Sequence, residues 1–120
     1  MPDSEISGFF SKTYFEARAK FLAACEARSL EVESRLNPKA KGPAGEDLFT
    51  DVVRIGPKNA RKGLLLMSAT HGVEGYCGSG PQIGLLTQGV FDTLPDDLCV
   101  VLIHALNPFG FAHDRRVNED

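Results

Sequence analysis

The residues of this 120-residue chain whose types and spacing suit chemistry best are His71 and Glu74, in the run Thr70-His71-Gly72-Val73-Glu74-Gly75. They follow directly on the apolar run from Gly63 to Ala69. A neutral imidazole and a carboxylate both suit zinc, and a catalytic zinc usually takes three protein ligands and one water. The pair would supply two of those three. Two ligands on one tight turn are held at little ordering cost, and Gly72 and Gly75 permit backbone conformations that a side chain forbids. His-x-x-Glu also describes two polar loop residues, so spacing alone leaves both readings open. Position favours the metal, because sites in open α/β sheets lie at the carboxyl ends of strands.

Other chemistries are less well supported by residue pattern. Gly75 to Gly84 is glycine-rich between a strand and a helix, yet it matches neither G-x-G-x-x-G nor a P-loop with its lysine. Ser79 lies between glycines but lacks the outer glycines of a nucleophile elbow, and reads better as a helix cap. Cys77 is close in sequence to His71, although a free cysteine near a strand end is usually inert packing. His104 and His113 are the remaining histidines that would have to approach the turn if the chain closed a zinc site by itself.

The elements that position these residues follow from periodicity. Thr13 with Glu16 resembles a capping box, and Tyr14, Ala17, Phe21, Ala24 and Cys25 recur at helical spacing, predicting an amphipathic helix over 12–28. Leu30, Val32, Ser34 and Leu36 alternate with charged residues, and Leu48 to Ile55 is a second extended stretch across the loop Asn37 to Gly45. Together they predict an antiparallel pair. The nearly continuous apolar runs 63–69 and 98–104 predict central strands buried on both faces. Between them, Ser79, Pro81 and Gln82 mark a helix start, with Ile83, Leu86 and Val90 as its buried stripe. A strand, helix, strand unit of this kind joins parallel strands in a right-handed sense. It places the His71 turn and the loop after His104 at one edge of the sheet, within reach of Arg115 and Arg116.

Composition excludes several classes of function. With 42% hydrophobic and 24% charged residues, the chain has the balance of one soluble globular domain with a modest core. A net charge of -3 with interspersed signs leaves no basic footprint for nucleic acid. No apolar run approaches a membrane span. The N-terminus Met1-Pro2-Asp3-Ser4-Glu5 is acidic and polar where a signal peptide is basic then apolar. Cys25, Cys77 and Cys99 are odd in number and unpaired in spacing, as expected for free thiols in a reducing, cytoplasmic compartment.

The succession of an apolar strand, H-G-V-E-G, G-S-G before a helix, and a second apolar strand running into N-P-F-G-F and R-R-V-N-E-D resembles the zinc carboxypeptidase superfamily, which also contains succinylglutamate desuccinylase and aspartoacylase. The nearest likeness is to a bacterial branch of uncharacterised zinc-peptidase-like proteins, and it covers essentially the whole chain. The resemblance implies a three-layer α/β/α fold with a mixed sheet, of which residues 1–120 are the incomplete N-terminal part of a single domain. It implies that His71 and Glu74 are the first two zinc ligands. Arg116, with Arg115 as fallback, would polarise the scissile carbonyl or bind the substrate carboxylate. The implied reaction is attack by zinc-activated water on a C-terminal peptide bond or an N-acyl amino acid. Members of that superfamily continue into a D-x-x-N-R-like block, a further histidine ligand and a glutamate base, none of which follows Asp120. The missing C-terminal half or a second copy would have to supply them. The alternative is a non-catalytic fragment or a half-domain that binds a partner through an exposed sheet edge.

Overall fold

The computed structural model describes residues 3–119. Met1 and Pro2 of the polar N-terminus, and Asp120 of the charged end, lie outside the described residues. After the single turn α1 (Asp3–Ser7), helix α2 runs over Tyr14–Ala27. Thr13 caps it by accepting a hydrogen bond from Glu16 N at 3.1 Å. The Glu16 carboxylate accepts from Lys12 N rather than from the cap residue, which loosens the capping box without abolishing it. The predicted stripe is the buried one: Tyr14, Ala17, Phe21, Ala24 and Cys25 all face inward.

Strands β1 (Val32–Lys41) and β2 (Asp47–Ile55) pair antiparallel, from Val32 opposite Val53 to Leu36 opposite Phe49. A register shift follows before Lys41 meets Asp47. The strand therefore continues through Asn37 and Pro38, where a loop was expected. Pro38 is tolerated because β1 lies at a sheet edge. Strands β3 (Lys62–Met67) and β4 (Leu98–His104) are parallel, and β2 and β4 are antiparallel, giving a mixed four-stranded sheet in the order β1-β2-β4-β3.

Three further sequence expectations change. Strand β4 is central, but β3 is an edge, with Leu64, Leu65 and Met67 exposed at 44, 52 and 48%. A run of apolar residues records that a strand wants cover on both faces; it does not record whether the described chain provides it. Helix α3 spans Gly75–Thr87, entered through a 3-10 turn at Gly72–Glu74, so it begins four residues before Ser79. Pro81 sits inside it, where it has no N–H to give to the carbonyl of Cys77. Val90 lies past the helix end and is exposed. The third change concerns layers. Phe21 and Cys25 of α2 share one core with Ile83 and Leu86 of α3 and with Val53, Ile55, Val100 and Leu102 of the sheet. Both long helices thus cover the same face, and the described residues form two layers, not three.

Candidate functional site

The site forms where β3 and β4 end. Ala69 and Ala105, just beyond the two parallel strands, both take the left-handed conformation, at φ 57 and 61. For a residue with a side chain that conformation costs about 1–2 kcal/mol. Matching hydrogen bonds hold the two turns in place: Leu106 N to Ser68 O and Asn107 N to Ala69 O, both 2.9 Å, and Ala105 N to Ser68 Oγ at 3.1 Å. One turn leads into His71. The other leads, through Asn107 as the cap of the short helix α4 (Pro108–Ala112), into the arginine pair.

The parallel crossover does bring these segments together. Gly72 N donates to Arg116 O at 3.1 Å and Val73 N to Arg115 O at 2.9 Å, so the turn carrying His71 and Glu74 is bonded along its backbone to the arginine segment. Contact is close enough to require glycine. A Cβ on Gly72 would lie 2.3 Å from Gly110 Cα and 2.5 Å from Arg115 O. Tyr76 anchors the segment from α3, donating its hydroxyl to Asp114 and meeting Phe111 edge-on at 4.8 Å. Burial, then the hydrogen bond and charge of Asp114, push its phenol up to about 12.

His71 Nδ1 and Glu74 Oε2 lie 3.2 Å apart, both on the surface. The contact is a hydrogen bond between imidazole and carboxylate, which a zinc ion bound to both atoms would replace; ligand atoms about 2.0–2.1 Å from a tetrahedral zinc lie roughly 3.3 Å apart, so little movement of either side chain is needed. Arg116 approaches from the other side, its Nε 4.0 Å from Glu74 Oε1. His71 and Arg116 border an open cavity of about 580 Å³, whose lining includes Thr70, Asn107 and Asn118, while Glu74 lies outside that lining. Nothing in the spacing of these neutral residues marks them in sequence. Arg115 contributes through its backbone carbonyl.

The other histidines are engaged elsewhere. His104 is fully buried on the helix side of the sheet, stacked on Phe21 at 4.6 Å, with Nε2 2.8 Å from Ser79 Oγ. Burial is the main cause that drives its pKa down to about 4, with Asp51 opposing and Arg18 assisting. His113 Nε2 bonds Lys41 O at 2.8 Å, and its ring lies against Phe109. Among the described residues no group of three His, Cys, Asp or Glu side chains comes together to hold a metal ion. Cys25, Cys77 and Cys99 are all free thiols, and Cys77 is exposed on α3. No described helix is long and apolar enough to cross a membrane.

Residues 10–120 match the family described as protein of unknown function (DUF2817). The chain is a member of that family. No curated protein matches it in sequence. Among solved structures, this family member is similar to the glutaminyl cyclase of Fimbriiglobus ruber, with a TM-score of 0.53 and 9% identity over 83% of this chain and 41% of that one. It is likewise similar to the glutaminyl cyclase of Porphyromonas gingivalis, with a TM-score of 0.50 and 12% identity over 83% of this chain and 43% of that one. Identities so low speak to fold alone, and the chain spans less than half the length of either protein.

These findings overturn the resemblance to zinc carboxypeptidases. The family is DUF2817 and the fold neighbours are glutaminyl cyclases. With the assignment goes the expected hydrolase, acting as a metallopeptidase or deacylase on a C-terminal peptide bond or N-acyl amino acid. The reason is structural. An apolar strand ending in a polar turn, then a helix and a parallel strand, is a general α/β solution, so short blocks placed on it do not identify a family.

Proposed function

We propose that this chain carries part of a metal-assisted site acting on an amide carbonyl, of the kind found in an N-terminal glutaminyl peptide. The observation that carries the reading is the convergence of His71 Nδ1 and Glu74 Oε2 at 3.2 Å beside Arg116, where His71 and Arg116 line one cavity. His71 and Glu74 would hold a zinc ion, which when bound supplies Lewis acidity toward a carbonyl oxygen. The remaining protein ligand would come from outside the described residues, consistent with a chain that covers 41% of a fold neighbour.

Arg116 offers a permanently charged, planar fork of donors to a second oxygen of the substrate, such as the peptide carbonyl following the glutaminyl residue. Thr70, Asn107 and Asn118 present neutral polar groups matched to an amide. Cyclisation joins the α-amine nitrogen of the substrate to its γ-carbonyl carbon and releases ammonia. Holding both ends of that residue between the His71 turn and the arginine segment would bring amine and carbonyl into one orientation, and orientation of this kind is worth several kcal/mol of barrier. The backbone bonds of Gly72 and Val73 to the arginine segment keep the two walls at a set distance.

Zinc titration calorimetry on the wild-type chain, His71→Ala and Glu74→Gln tests the metal pair. One zinc per chain is expected, with affinity falling at least tenfold in each variant. Equal affinity in all three would refute the pair. Ammonia release from an N-terminal glutaminyl peptide, followed with zinc present and lost in Arg116→Ala, tests the reaction class. Zinc binding without any ammonia release would overturn that class and leave the metal pair standing.

A further inference from the structure

Strand β1 changes course beside the candidate site. Leu36 pairs with Phe49 and Lys41 with Asp47, so residues 37–40 stand opposite the single residue Leu48. A bulge of this kind re-aims side chains that regular alternation would send elsewhere, and such bulges recur next to functional sites. Arg35, Leu36, Pro38 and Lys39 are exposed, whereas Asn37 is half-buried and lines the cavity that His71 and Arg116 border.

The Asn37 side chain is held in one orientation. Its Oδ1 accepts from Lys39 N at 2.9 Å and from Ala40 N at 3.3 Å. Turning the amide over would set its NH2 group against both of those N–H donors, so the turn fixes which end carries the hydrogens. Nδ2 meets Glu119 Oε1 at 3.5 Å, and Glu119 lines the same cavity. That distance is the outer limit of a hydrogen bond, and an amide nitrogen carries a pair of hydrogens, so donor capacity is left for a ligand.

We infer that Asn37 is a specificity-determining residue of the candidate site, donating from Nδ2 to a backbone carbonyl oxygen of a peptide substrate. A neutral oxygen suits it, because the Glu119 carboxylate 3.5 Å from Nδ2 would repel an anion in that place. The donor is oriented before the ligand arrives, so little side-chain freedom is lost on binding. Strand β1 then forms a further wall of the site, beside the His71 turn and the arginine segment. The role of Asn37 rests on the reading of the cavity as a peptide-amide site, and not on zinc at His71.

Nuclear magnetic resonance of the Asn37 side-chain amide tests it, with the C-terminally amidated peptide Gln-Ala-Ala titrated into the wild-type chain as the probe. The protons on Nδ2 are expected to move downfield, saturating at the same peptide concentration as the shifts of the Gly72 and Arg116 backbone amides. Asn37→Asp keeps the oxygen that Lys39 N and Ala40 N require and removes the donor. It should raise the Kd for the peptide about tenfold, the worth of one hydrogen bond, while the urea midpoint stays near wild type. The added negative charge alone would draw the cationic peptide in more tightly, so weakened binding reads the lost donor. Shifts at Gly72 and Arg116 without a shift at Asn37, or a Kd unchanged in Asn37→Asp, would overturn the role of Asn37 and leave the peptide-amide reading standing. A peptide that shifts none of these signals would overturn both.

Discussion

Replacing Gly72 with alanine should separate the two walls of the candidate site. The new Cβ would sit 2.2 Å from the carbonyl carbon of Gly110, 2.3 Å from its Cα and 2.5 Å from Arg115 O. Unstrained carbon contacts lie at about 3.5–4.0 Å, so backbone on one side must retreat by more than about 1 Å. No flexible side chain is there to yield. The same retreat stretches the bonds from Gly72 N to Arg116 O and from Val73 N to Arg115 O, now 3.1 and 2.9 Å, beyond hydrogen-bond range. Overpacking costs about 1–3 kcal/mol and each lost bond about 1 kcal/mol, so the substitution should destabilise the chain by roughly 3–5 kcal/mol. With a urea slope of about 1–2 kcal/mol/M, the midpoint should fall by about 1.5 M or more. If the turn swings out locally, the cost shows instead as faster exchange of the Gly72 and Val73 amides and weaker zinc binding. An unchanged midpoint together with unchanged exchange at both amides would refute the reasoning.

Two further outcomes follow from the buried polar groups. His104 is neutral in the folded chain, with its pKa lowered chiefly by burial from 6.5 to about 4. The unfolded chain therefore binds the extra proton between those values. Stability should be fully present above about pH 6.5 and fall by about 3 kcal/mol as pH drops to 4, and His104→Gln should flatten that dependence in urea titrations at each pH. A wild-type curve already flat between pH 4 and 6.5 would contradict the burial. Asp51, fully buried, accepts from Arg18 Nε at 2.8 Å, from Arg18 Nη2 at 3.1 Å and from the Ser34 hydroxyl. Asp51→Ala leaves the guanidinium without its partner and should cost about 3–5 kcal/mol, whereas breaking the exposed Lys62–Asp97 pair with Lys62→Met should cost under about 1 kcal/mol. Similar losses from both would show that burial does not set the difference.

Elements defined by their own periodicity were legible in the amino-acid order. The stripe from Tyr14 to Cys25 marked α2, the alternation around Val32 marked the antiparallel pair, and two apolar runs joined by a helix marked a parallel crossover. From the crossover followed the meeting of the His71 turn with the arginine segment, because right-handed connection leaves few other arrangements. Local pattern failed where two signals coincided. Ser79, Pro81 and Gln82 resemble a helix start, but Ser79 is inside α3 because its hydroxyl is the partner of His104.

Residue order determines which segments are extended, which are helical and which polar groups follow a buried strand, since backbone preference and side-chain period act over a few neighbours. It also placed His71 and Glu74 on one turn. Tertiary structure decided what depends on distant residues meeting: that β3 is an edge, that both long helices share a face, that His104 faces Phe21 and Ser79, and that Arg116 stands 4.0 Å from Glu74. Burial and pairing of this kind are properties of the space between elements, and no window along the chain contains them.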